Sequence, residues 1–303
     1  MVRQGREAHN AGWRVLTEGG AVADDSPTVR GQLLAAELRR LRVGVKKTQT
    51  EVARYVGLAP GDTTISKFEN AERVPPAPHL RLMLQCYGVD LDSSRAASIV
   101  ELAKQAKQRG WWSEHSTSVP NWFERYLGLE TAADEVETYE AEYVPGLLQT
   151  SRYTEALTTP ANMELPEGFA AVRKRRQQRL LADEPLRLRA VLNEAVLLRD
   201  VGGPEIMREQ LASLLDAADR PNISLQVLPF SVGIHTGMHG PFTIVRFKEK
   251  SIDTVYVELR GGAVYLNQPT DIELHSATFE QLTALALTEE DTISLVRETE
   301  RRL

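Results

Sequence analysis

Residues 49–69 read QTEVARYVGLAPGDTTISKFE. Gln49, Ala53, Gly57, Ile65 and Glu69 stand where a helix-turn-helix needs them. The small Ala53 lets two helices approach, and Gly57 supplies the turn, because glycine adopts backbone angles that cost other residues. Ile65 faces inward and fixes the rotation of the helix around it. That rotation turns Thr63, Thr64, Ser66 and Lys67 outward, able to reach base edges or phosphates. A helical hairpin that binds no nucleic acid is the alternative reading of this stretch.

The flanking sequence extends the helical pattern. In VRGQLLAAELRRLRVG (29–44), Leu33, Leu34, Leu38 and Leu41 recur at helical spacing, and Gly44 marks the stop. Thr48 followed by Glu51 is a capping box that starts the second helix. A third helix is predicted over 63–69. Pro75, Pro76 and Pro78 end it and open a fourth, where Leu80, Met83, Leu84 and Tyr87 keep the period. A fifth is predicted over about 93–109, closing at Gly110. Residues 27–110 thus read as one all-α five-helix domain. Residues 1–26, with Gly5, Gly12, Gly19, Gly20 and the pair Asp24–Asp25, read as a flexible tail.

Beyond Gly110 the texture changes. Strand-like runs appear at 186–192, 223–229, 242–248, 254–259 and 263–267, with helices suggested at 204–218 and about 271–287. The last four strands follow closely, with turn signals such as Gly261–Gly262, which predicts an antiparallel meander with an exposed sheet edge. Residues 111–303 are therefore expected to form a larger α+β domain with an antiparallel sheet.

The chain has 303 residues and a net charge of −6. The balance is uneven: residues 27–110 hold 14 Lys+Arg against 8 Asp+Glu, whereas 111–303 hold 19 against 30. A basic segment joined to an acidic one points to a nucleic-acid-binding part carrying something else. Cys86 is the single cysteine, so no disulfide forms within the chain, and its place among apolar residues reads as a buried thiol. No apolar run approaches the roughly 20 residues of a membrane span, and the start lacks an apolar signal region. A cytoplasmic, nucleoid-associated protein is expected.

Catalytic signatures are not found in the sequence: no GxSxG, HExxH, P-loop or GxGxxG. His235 and His239 lie four apart, but in GIHTGMHG the glycines disfavour a helix, and no third ligand stands nearby. No metal or cofactor is expected, and the chain is read as a non-enzyme. The run RKRRQQR (173–179) could touch DNA or pair with the acidic remainder of its own domain. Trp111, Trp112 and Trp122 could line a pocket or pack at the domain junction.

Residues 29–90 resemble the Xre/Cro-like helix-turn-helix family. The resemblance implies that the third helix enters the major groove, and that Gln49 caps the second helix and touches backbone or base. It also implies a structural ion pair between Arg42 and Glu69. Gly57 to Ile65 spans eight residue steps, longer than the family pattern. APGD therefore forms a longer turn or extends the front of the recognition helix. VPGLLQTSRYTEAL (144–157), the segments 172–203 and 207–230, and GMHGPFTIVRF (237–247) are similar to an actinobacterial family of regulators with an antitoxin-like C-terminal domain. That resemblance implies a DNA-binding regulator acting with a small partner protein encoded nearby.

Lys46, Lys47, Arg54, Lys67 and Arg73 are the expected phosphate contacts on double-stranded DNA. Thr63, Thr64 and Ser66 are the expected base readers, with Gln49 beside them. A homodimer is expected, with the C-terminal domain as its contact. The alternatives are an antitoxin-like protein that mainly holds a small partner protein, a small-molecule-sensing regulator, and an enzyme with a DNA-targeting domain.

Overall fold

The computed structural model describes residues 26–59, 61–115, 119–157 and 169–303. The tail expected over 1–26 lies outside the described residues except for Ser26, whose hydroxyl donates to Gly128 O at 2.7 Å.

Among the described residues, five helices form the N-terminal lobe: α1 (Pro27–Gly44), α2 (Gln49–Tyr55), α3 (Thr64–Glu69), α4 (Ala77–Cys86) and α5 (Ser94–Gln105). The capping box at the front of α2 is formed. Thr48 Oγ1 accepts from the Glu51 amide at 3.2 Å, and Glu51 Oε2 accepts from the Thr48 amide at 2.7 Å. One core gathers Leu34, Leu38, Val52, Ile65, Phe68, Leu80, Met83, Leu84 and Ile99. Each large apolar side chain buried this way contributes about 1.5–3 kcal/mol, which is what holds helices as short as α2 and α3. Cys86 is buried in the same core.

The second lobe carries α6 (Asn121–Ala132), β1 (Glu135–Glu140), α7 (Ser151–Leu157), α8 (Phe169–Gln177), β2 (Arg187–Asn193), α9 (Ala195–Leu198) and α10 (Pro204–Ala218). It continues through β3 (Ile223–Leu228), β4 (Phe242–Arg246), β5 (Thr254–Leu259), β6 (Gly262–Leu266), α11 (Pro269–Leu285) and α12 (Glu289–Arg302). The six strands make one sheet in the order β3-β2-β1-β4-β5-β6.

The sheet is mixed, which corrects the antiparallel expectation. β4, β5 and β6 are antiparallel neighbours, but β3 leaves the meander and pairs parallel with β2, as β2 does with β1. The central strand β1, EVETYE, reads as polar, yet its four middle residues are buried. Glu137 lies inside because two neighbouring strands neutralise it. Arg189 Nη1 reaches Glu137 Oε1 and Arg246 Nη2 reaches Glu137 Oε2, both at 2.6 Å.

Alternation along the strands sorts the two faces. Leu188, Ala190 and Leu192 of β2 point into the larger core with Phe123 of α6, Val172 of α8 and Leu211 and Leu214 of α10. Val191 points the other way, against Phe279 and Leu282 of α11. The β3 edge is not open. Leu287 donates to Val227 O at 2.8 Å, and Thr292 Oγ1 accepts from the Val227 amide at 3.0 Å.

α1 belongs to both lobes. Leu34, Leu38 and Leu41 enter the first core, whereas Val29 lies in the second with Leu33 and Ala36 packed against it. Arg39 Nη2 also donates to Gln268 Oε1 at 2.6 Å. The helix crosses α6 at Gly128, where a Cβ would collide with the Thr28 hydroxyl and the Trp112 ring.

Candidate nucleic-acid interface

The recognition helix α3 is held at both ends. At its front the stretch after Gly57 forms the longer turn. The Asp62 amide donates to Ala59 O at 3.1 Å, with Gly61 at φ +83°. Asp62 Oδ1 then accepts from the Thr64 amide at 2.7 Å, satisfying one of the free donors at the helix start. Bonds from the Thr64 hydroxyl and amide hold the Asp62 carboxyl below its usual range.

Behind α3 lies a polar clasp. Arg42 donates twice to Glu69, at 2.7 and 2.9 Å, and a third time to Lys47 O at 2.8 Å. The Glu69 side chain is 1% exposed. The bond to Glu69 is the largest of the contacts that raise the Arg42 pKa. Gln49 Nε2 completes the set, donating to Glu69 Oε2 at 2.8 Å. The capping role expected of Gln49 is corrected here: Thr48 is the N-cap, and Gln49 ties the start of α2 to the end of α3. A side-chain cap must precede the first helical turn, and Gln49 is already inside it.

The remaining candidates surround this clasp. Thr63 is exposed at the N-cap of α3, and Thr64, Ser66 and Lys67 are partly exposed along it. Ser66 Oγ accepts from Asn70 Nδ2 at 3.3 Å. Lys46 is exposed on the turn between α1 and α2 at φ +57°. Lys47 sits with its ammonium 5.8 Å from the Tyr55 ring centre. Arg54 in the last turn of α2 and Arg73 just beyond α3 are exposed. Lys47 and Arg54 lie within electrostatic reach of Glu51, and Lys67 and Arg73 within reach of Asp62, so these cations flank α2 and α3 in two groups.

Sequence reasoning missed Arg125. It lies on α6 in the other lobe, yet its Nη2 donates at 3.1 Å to the carbonyl of Asn70, the C-cap residue of α3. Its guanidinium stacks on the Tyr265 ring of β6 at 4.5 Å. No periodicity links residues 55 positions apart, so nothing in the linear pattern marked it.

Four arginines of the basic run, in α8 and the turn after it, contact their own lobe. Arg176 makes a buried two-bond pair with Glu130, each bond 2.7 Å, and lies over the Phe123 and Tyr126 rings. Arg173 reaches Gln149, Arg175 lies over Trp111 at 4.5 Å, and Arg179 donates to Ala133 O at 3.0 Å. These contacts bring VPGLLQT and the α8 run together: Gln177 donates to Gln149 O at 2.7 Å, and Gln210 of α10 donates to Leu148 O at 2.8 Å. Trp111 and Trp112 meet edge to face at 5.9 Å, with Trp112 buried against Gly110 and Gly128 at the junction of the lobes. His235 meets the Tyr139 ring edge to face at 6.1 Å, and His239 is exposed. Among the described residues no group of three or more His, Cys, Asp or Glu is placed to hold a metal ion. Among them, too, no helix is long and apolar enough to cross a membrane.

Residues 123–298 match the family model described as Domain of unknown function (DUF5753). Residues 33–97 match the model of a Helix-turn-helix domain, which supports a DNA-binding regulator. Nothing among curated proteins and nothing among solved structures matches the chain.

Proposed function

The chain belongs to the DUF5753 family, and from that premise we propose that it is a sequence-specific transcriptional regulator of the Xre type, a binding protein without catalysis. The observation that carries this reading is the pairing of a polar, partly exposed α3 with the part-buried Arg42–Glu69–Gln49 clasp behind it. The clasp fixes the rotation of α3 before DNA arrives, so little ordering remains to be done on binding. Lys46, Lys47, Arg54, Lys67 and Arg73 contact phosphates, and Thr63, Thr64 and Ser66 read base edges.

The acidic second lobe mediates dimerisation and holds a small partner protein or effector, in keeping with the antitoxin-like resemblance. The covered β3 edge removes strand addition there as its route. Exposed apolar side chains support a face-to-face contact instead: Phe230, Ile234 and Met238 are 57%, 92% and 66% exposed. Genome-wide mapping of bound sites tests the DNA reading. The intact chain should give discrete peaks sharing one motif, and a Thr63→Ala, Thr64→Ala, Ser66→Ala variant should lose them. Peaks that survive the triple change would place base reading elsewhere.

A further inference from the structure

We propose that Arg125 of α6 is a positioning residue for DNA recognition: it carries the placement of the second lobe into the recognition helix. This rests on the DNA-binding reading above.

The recognition helix has only six residues, Thr64–Glu69, too few to hold itself in water. It also ends awkwardly. Ala71, next after the cap, sits in the left-handed region at φ +56°, which glycine accepts and alanine does not favour. An external partner at this end therefore matters. Arg125 supplies it, donating to Asn70 O where the partial negative charge of the helix terminus collects.

Arg125 is itself part-buried between α3 and β6. Burial pulls its guanidinium below the ordinary value, and Tyr265 and Glu72 offset part of that cost. Its guanidinium is engaged by Asn70 O and the Tyr265 ring, which assigns it to positioning rather than to phosphate contact. Its aromatic partner lies in the same lobe as α6: Tyr265 of β6 stacks under the guanidinium and donates through its hydroxyl to Trp122 O at 2.8 Å. Tyr265 continues inward to Tyr256 at 5.4 Å, then Tyr126 at 4.4 Å, beside the buried Arg176–Glu130 pair. A guanidinium fixed by one aromatic face and one carbonyl transmits a shift of β6 to the end of α3. A ligand acting on the second lobe would need no contact with DNA to change base reading.

The test uses the intact chain and a duplex selected by it from a random-sequence library, beside a scrambled duplex of the same length. Loss of a part-buried hydrogen bond from a charged donor corresponds to about tenfold in affinity. Arg125→Ala should therefore bind the selected duplex about tenfold more weakly, at equal folded fraction, while the scrambled duplex and the salt slope stay unchanged. Arg125→Lys should recover part of the loss, since an ammonium still donates to Asn70 O. Tyr265→Leu should show the same selective loss from a strand in the other lobe, and it keeps the test open if Arg125→Ala fails to fold. Selected-duplex affinity within twofold of wild type in the variants would overturn the proposal. So would equal losses on both duplexes with a shallower salt slope, which would make Arg125 a phosphate contact. A wild-type chain that selects no motif would overturn the DNA reading itself, and this inference with it.

Discussion

Arg42 and Glu69 join the first helix to the recognition helix through two parallel hydrogen bonds of 2.7 and 2.9 Å, with the carboxylate almost wholly buried. Removing one member of such a pair strands the other charge. Arg42→Ala should cost about 3 kcal/mol or more in urea unfolding. Glu69→Gln should cost less, because an amide still accepts one bond. Equal small losses would mean that water already reaches the clasp.

Lys67 and Thr64 share α3 but are assigned different work. Lys67→Ala should weaken binding to all sequences alike and lower the salt slope by about one, because a phosphate contact carries no sequence information. Thr64→Ala should relax discrimination at one base position. Binding isotherms over a salt series, on matched and mismatched duplexes, separate the two. A changed preference with an unchanged slope in Lys67→Ala would reverse the assignment.

The N-terminal lobe was legible because its signals are local. Thr48 and Glu51 announce a cap, Gly57 a turn, and Leu34, Leu38, Val52 and Ile65 a helical period. The second lobe hid its central strand. Glu135, Glu137 and Glu140 of β1 read as surface, and only Arg189 and Arg246 from strands far along the chain make Glu137 a core residue. The direction of β3 was likewise invisible, since a strand shows its period but not its partner. The candidate face was read from spacing, whereas the Arg125 contact depends on how the lobes dock.

That docking turns on Gly128, which lies against Thr28 and Trp112. Gly128→Ala should destabilise the chain by about 1–3 kcal/mol through overpacking. Amide exchange should quicken along α1 and α6 first. Unchanged exchange there would mean the two helices separate at no cost.

Thr292 is fully buried and accepts the Val227 amide at the edge of β3. Thr292→Val keeps the shape but leaves that amide unpaired, at a cost of about 1–3 kcal/mol. Thr292→Ser should stay close to wild type. Chemical unfolding of both variants decides whether the edge is closed by this bond.

Glu140 ends β1, partly enclosed and facing Glu258. Burial first, then the Glu258 charge, push its carboxyl from 4.5 up to about 8. The folded chain therefore keeps a proton that the unfolded chain releases. This contribution to stability is complete below about pH 4.5 and is lost as pH rises through about 8. The melting temperature should fall over that window, and Glu140→Gln should flatten the fall. A wild-type profile that rises across the window would contradict the placement of this group.

We propose that this chain reads DNA sequence through α3, as a dimer. Selection from a random-sequence duplex library with the intact chain tests it most directly. An enriched two-fold motif is expected, with half-sites one helical turn apart, about 34 Å. The motif should change with Thr64→Ala and keep its sequence with Lys67→Ala. Recovery of unenriched duplexes, bound only through a salt-dependent attraction common to all sequences, would contradict it.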